Sequence, residues 1–203
     1  MKPHSEKITA YTDYALGVVG LICACGLYSK ALAHAQMSIN LWTIVFIFIS
    51  LSALLGGIYH RSANALSDSA RRNLWRVTVY VIAFASFALL YAAAASAFAG
   101  SVLVIFVLLA LVKLLISLGV LTFSDKFKPV MYDYGLSLLV AAFIYGLYVG
   151  GVGSIWMISG IVLSLIASVV QSFDLKLSNY FNHNDIYHVI MAVALVCMYL
   201  GVR

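Results

Sequence analysis

Charge is what this chain has least of. Asp, Glu, Lys and Arg make up 9% of its 203 residues, against 64% hydrophobic, where a soluble domain carries about a quarter charged residues. That scarcity excludes a water-soluble fold. It also excludes a nucleic-acid-binding surface, because the net charge of +5 is not gathered into a patch. Proline is nearly missing: Pro3 and Pro129 sit at the edges of apolar runs, where a lost N–H does least harm to a helix. Cysteine is scarce too. Cys23, Cys25 and Cys197 lie inside apolar runs, which excludes a disulfide framework, and Cys23-x-Cys25 lacks CxxC spacing. They read as small packing residues. No stretch outside the apolar runs exceeds about 15 residues, so there is no room for a soluble domain.

What is abundant is long apolar sequence. Seven spans are read, at about 9–33, 38–60, 73–97, 101–123, 129–150, 153–176 and 183–202, each near the ~20 residues a bilayer core requires. Gly100-Ser101 and Gly150-Gly151-Val152-Gly153 break the runs and serve as hairpin connections. The expected fold is all-α: one seven-helix transmembrane bundle over residues 1–203. Lys2, Lys7 and Ala33-His34-Ala35 give the start some likeness to a signal peptide, but Asp13 and the length of the run favour a retained span.

Basic residues set the expected orientation. With seven spans, one side carries Lys2, Lys7, Arg61, Arg71, Arg72, Arg76, Lys126, Lys128 and Lys176, and the other only Lys30 and Arg203. The N-terminus is therefore expected in the cytoplasm and the C-terminus outside. The acids Glu6, Asp13, Asp68, Asp125, Asp133, Asp174 and Asp185 fall on, or just inside, the same cytoplasmic end. Asp13 and Asp133 lie about one turn into spans 1 and 5, His60 closes span 2, Gln171 nears the end of span 6, and His183, Asn184, Asp185 and His188 open span 7. Ionisable groups at membrane depth are costly and mark function. A compact bundle would gather these into one cytoplasm-facing pocket.

Span 7 opens with the densest polar run, Asn182-His183-Asn184-Asp185-Ile186-Tyr187-His188. Asn184 and His188 are i,i+4 and Asp185 and His188 i,i+3, so they share a helix face, whereas His183 lies roughly 140° from His188 on an ideal helix. A bland account is a helix capped by Asn182 or Asn184; the functional one is a pair of ligands, or a ligand and a base. His60 follows Gly56-Gly57, which lets a second backbone approach, and it is either an interfacial histidine or a metal ligand. Neutral imidazoles with a carboxylate or water suit zinc. Asp13 and Asp133 are candidate partners for a ligand histidine or a proton, or else polar links between helices. Asp68 is a candidate too, or an N-cap. Lys113 sits about ten residues, or ~15 Å, from the cytoplasmic end of span 4, too deep for its stem to reach water. It needs Asp13, Asp133 or an anionic substrate group. Span 7 has no lysine, which excludes a retinal Schiff base there of the microbial rhodopsin type.

Seven spans with the N-terminus inside, a histidine ending span 2 and Asn184-Asp185-Ile186-Tyr187-His188-Val189 opening span 7 resemble the CREST superfamily, which includes alkaline ceramidases and the progestin and adipoQ receptors. That pattern has Ser-x3-His in the second helix, an acidic residue near the third and His-x3-His in the last. His60 and His188 match two of its histidines, and Asp68, or more loosely Asp13, its acid. Gly56 and Asn184 stand where the pattern has serine and histidine; His183 is one residue off. The resemblance implies a zinc site and hydrolysis of a lipid amide or ester in a bacterial inner membrane, with membrane lipids as partners. In that reading His60 and His188 are ligands with His183 or Asn184 third, and Asp13 or Asp68 positions the water. Two other readings stand beside it: a receptor, transporter or small-molecule binder using the same pocket, with Lys113 and Asp133 as charged partners, and a polar network without chemistry.

Overall fold

Every apolar run forms a helix, because backbone groups among apolar side chains find partners only within their own segment. The computed structural model describes residues 3–34, 36–62, 65–124, 126–178 and 181–202. Lys2, Asp125 and Arg203, which entered the charge balance, and Ala35 of the Ala33-His34-Ala35 run lie outside the described residues. The elements are α1 (Pro3–His34), α2 (Met37–Arg61), α3 (Asp68–Ala97), α4 (Gly100–Thr122), α5 (Lys128–Ile144), α6 (Gly151–Ser172) and α7 (His183–Val202). A π-helical turn, Tyr145–Val149, continues α5. No strand occurs among the described residues. Among the described residues, seven helical segments of 20 to 30 residues are long and apolar enough to cross a membrane.

Local hydrogen bonds set three of the helix ends. Helix α3 starts at Asp68, ahead of position 73, because Ser67 Oγ accepts the Ala70 N–H at 3.3 Å. Ser67 is thus the cap, and Asp68 belongs to the first turn. Helix α6 stops before 176 because Asp174 turns left-handed (φ 50°), which Asp tolerates, and the Leu175 N–H reaches back to the Val170 carbonyl at 3.1 Å. At α7, Asn182 Oδ1 accepts the Asn184 N–H at 2.8 Å while Asp185 Oδ2 accepts the Asn182 N–H at 2.7 Å. This reciprocal pair is a capping box.

The main core joins α1, α2, α3, α5, α6 and α7 through Leu27, Trp42, Phe46, Leu89, Leu138, Met157 and Leu195. Helix α4 is the outlier. Only Ala110, Leu114 and Leu121 of it are buried, while Val104, Leu108, Leu109, Leu115 and Ile116 are exposed.

Lys113 ties α4 to the bundle. Its Nζ bonds Asp133 on α5 and donates to Ser86 Oγ on α3 at 2.9 Å; Ser117 also donates to Asp133. Of the three partners the sequence left open for Lys113, the structure pairs it with Asp133. The pair forms its own cluster, so Lys113 and Asp133 do not join the polar pocket as expected. Removing one member leaves a desolvated charge, at about 3–5 kcal/mol, whereas replacing both by apolar groups is far milder. Lys113→Met and Asp133→Leu alone should each lower thermal stability in detergent more than the double variant does. Equal or additive loss in the double variant would show that the pair does not hold α4.

Candidate functional site

At the end of the bundle where α1, α3, α5 and α7 begin and α2, α4 and α6 finish, a cavity of about 350 Å³ lies between the helices. Asp13, His60, Gln171, Asn184 and His188 line it, with Tyr59, Trp75, Tyr134 and Tyr187. Its apolar wall comes from residues such as Leu16, Ile49, Ile82, Phe127 and Met191.

Asp13 stands at its centre. The carboxylate is buried (4% exposed) and lies against Gly56, where a Cβ would come within 3.2 Å of both its oxygens. A Cβ on Gly57 would come within 2.3 Å of the Tyr14 ring. The two glycines thus admit α1 side chains rather than merely bringing backbones together. Asp13 Oδ1 lies 3.0 Å from His188 Nε2, and Oδ2 lies 4.0 Å from His60 Nε2. Oδ2 has no hydrogen-bond partner.

The far nitrogen of each ring is also held. His60 Nδ1 donates to Glu6 Oε2 at 2.7 Å. His188 Nδ1 meets Thr12 Oγ1 at 2.9 Å, and Thr12 Oγ1 lies 3.4 Å from Asp185 Oδ1. Thr9 Oγ1 donates to the same Asp185 oxygen at 2.9 Å. Both imidazoles are therefore oriented by a carboxylate, Glu6 directly and Asp185 through Thr12, with Nε2 turned to Asp13.

Several expected members lie elsewhere. Asp68 is exposed, in the first turn of α3, and does not reach the cavity. His183 opens α7 facing the α6–α7 connection, with Nε2 3.5 Å from Asp174 Oδ1, so it is not a third partner of His60 and His188. Asp185, fully buried, is spent on the cap and the threonines instead of lining the cavity. Asn184 does line it, accepting from Gln171 Nε2 at 2.7 Å. Sequence reasoning missed Glu6, Thr12, Tyr134 and Trp75 as members. For Glu6 a signal existed: Glu6, Thr9 and Asp13 follow i, i+3, i+7 along one face of α1.

Does the set suit zinc? A catalytic zinc takes three protein donors and keeps a fourth position open, and tetrahedral donors ~2.0–2.1 Å from the ion lie roughly 3.3 Å apart. Here two imidazoles and one carboxylate present spacings of 3.0 and 4.0 Å, on either side of that value. Among the described residues no three His, Cys, Asp or Glu side chains form a group that could hold a metal ion as they stand; His60 Nε2 is 4.0 Å from the Asp13 oxygen it faces. Histidines whose other nitrogen is anchored to carboxylates are the usual support of a metal site, and the unpartnered Asp13 Oδ2 is an acceptor left free. In kind the donors suit zinc, while the spacing at His60 leaves the set open.

Fold and site together define an all-helical protein with seven apolar helices and a two-histidine, one-carboxylate centre at one end. The chain belongs to the family of unknown function DUF6962, whose model matches residues 8–203. No curated protein and no solved structure matches it.

The geometry makes Asp185 the anchor of the centre. Asp185→Ala should lower stability by about 2–3 kcal/mol, from lost charge-assisted hydrogen bonds and a lost cap, and should unsettle His188. Thermal unfolding of the purified variant measures this; a change under 0.5 kcal/mol would remove Asp185 from the account.

Proposed function

We propose that this protein is a metal-dependent membrane hydrolase related to the CREST group, cleaving a lipid amide or ester. The N-terminus and the cavity would be on the cytoplasmic side of a bacterial inner membrane, with membrane lipids around the bundle. The observation that carries the reading is that His60 and His188, from two different helices, direct Nε2 at one buried carboxylate while their other nitrogens are anchored.

The residues that would hold the metal are His60, His188 and Asp13. Zinc bound by such a set supplies a water nucleophile at neutral pH and polarises a carbonyl. The protein's own contribution is positioning. Glu6 holds the His60 ring, and Thr12 with Asp185 holds His188. Asp13 Oδ2 is the acceptor at hand for a proton. The Tyr134 hydroxyl, buried without a partner at the cavity wall, is placed to donate to a carbonyl oxygen as negative charge develops there. The apolar wall seats an acyl chain and keeps bulk water out.

A second reading has a specific observation in its favour. Gln171 and Asn184 hydrogen-bond each other where the family pattern would put another histidine, and a non-catalytic binder of a small molecule would use the cavity as it stands. Lys113 and Asp133 are not at that cavity, which weakens a receptor or transporter that relies on them.

Metal analysis of gently purified protein separates the two. The hydrolase reading expects about one zinc per chain, lost in His60→Ala and His188→Ala, with cleavage of N-acyl or O-acyl lipids in vesicles. Tyr134→Phe should keep the metal and lower turnover by roughly 10²–10³-fold, the usual effect of removing one such donor. Protein that carries no metal, and to which no divalent ion confers hydrolysis, would rule the enzyme out and leave the binder.

A further inference from the structure

A second pocket, of about 260 Å³, opens beside the first and is lined by Tyr59, Asp68, Arg71, Arg72 and Trp75. Tyr59 and Trp75 line both, so one aromatic wall serves the two. Their ring centroids are 5.3 Å apart. The Arg71 guanidinium lies over the Tyr59 ring, 4.7 Å from its centroid, and the other side of the wall reaches His60, 5.5 Å from Tyr59 centroid to centroid.

The charges here are not spent internally. Neither Arg71 nor Arg72 takes part in an ion pair among the described residues. Arg71 Nε is buried without a hydrogen-bond partner, and so is Trp75 Nε1. Asp68 offsets one of the two guanidinium charges, which leaves the pocket cationic. Positive residues at this end are expected from topology alone. Topology does not require two of them to line a pocket that abuts the cavity, nor does it leave a buried indole N–H unspent at the shared wall.

The geometry points to a bipartite site for an anionic amphiphile: a phosphate group held by Arg71 and Arg72, an adjoining oxygen accepting from Trp75 Nε1, and the apolar part lying in the cavity with Asp13, His60 and His188. Guanidinium groups suit phosphate because they offer paired donors in one plane. The inference rests on the reading of the cavity as a lipid-hydrolysing centre and narrows its substrate to a phospholipid of net negative headgroup charge. The same arginines would also recognise free phosphate, so the test separates the two sources.

Purified protein in detergent is titrated calorimetrically with a short-chain anionic phospholipid, a zwitterionic phospholipid of the same chains, and inorganic phosphate alone. The anionic lipid should bind roughly tenfold tighter or more than the zwitterionic one, the order expected of two near-surface cations, and inorganic phosphate should bind at least as weakly as the zwitterionic lipid. Arg71→Ala/Arg72→Ala should erase the preference, and Asp68→Asn should strengthen it several-fold without touching the fold's core. Equal affinity for the two lipids would overturn the inference. So would phosphate binding as tightly as the anionic lipid, or a preference indifferent to both the arginine and the Asp68 variants. His188→Ala, run in parallel, should keep the preference for the anionic over the zwitterionic lipid while losing turnover. Unmutated protein that shows the preference but hydrolyses neither lipid sinks only the enzyme; unmutated protein that hydrolyses both without preference sinks only the headgroup site.

Discussion

A fully buried carboxylate, Asp185, holds this arrangement together. Burying such a group is costly unless hydrogen bonds replace its hydration, and among apolar helices little else is available to replace them. Asp185 is met by the Asn182 N–H at the start of its own helix and by Thr9 and Thr12 from α1. Asn182 Nδ2 adds a bond to Thr9. The cap of α7 is therefore also the clamp between α7 and α1. Because Thr12 meets His188 at the same time, the orientation of an imidazole follows from the requirement to satisfy a helix end. What looks like a feature of the site begins as a solution to a folding problem.

On the α2 side the same helix is placed by absence of volume. Gly56 and Gly57 leave the space that Asp13 and Tyr14 fill. A side chain at Gly56 would meet the carboxylate of Asp13, so the glycine is what lets that acid stand 3.0 Å from His188 and 4.0 Å from His60.

How much of this could be read from the sequence follows from what sequence encodes. Apolar run length encodes depth along a helix, so the seven helices were legible, as was the crowding of Asp13, His60, Asn184 and His188 at one end. Depth does not encode which way round the bundle a residue faces. Asp133 shares the depth of Asp13 but looks toward α4, where Lys113 draws it. His183 is adjacent to the right residues yet turns to Asp174, because it is the first residue of a capped helix rather than a member of its inner face. Asp68 was misplaced through the start of α3, since a cap at Ser67 moves the whole first turn outward. Glu6 reads as one more charge near a basic terminus, and only its spacing to Thr9 and Asp13 betrays the shared face. The aromatic members were hidden for a different reason: tyrosine and tryptophan near a helix end are the ordinary composition of a membrane interface, and nothing local distinguishes Tyr134 or Trp75.

The distribution of unmet polar atoms separates the groups that build the fold from those that are free to act. Asp185 has its oxygens engaged, and Lys113 is engaged by Asp133 and Ser86. Of seven buried side-chain atoms without a hydrogen-bond partner among the described residues, four (Asp13 Oδ2, Tyr134 Oη, Gln171 Oε1 and Trp75 Nε1) belong to residues lining the same cavity. Each such atom costs about 1–3 kcal/mol, and native interiors hold few of them. Scattered, they would be packing imperfections. Gathered around one carboxylate and two anchored imidazoles, they include acceptors, a donor and a hydroxyl able to be either, which is the complement of a molecule carrying both a polar group and an apolar body. The α4 ion pair leaves a single such atom, Asp133 Oδ2, and the clustering of four around the cavity is the physical reason to look for chemistry there rather than at that pair.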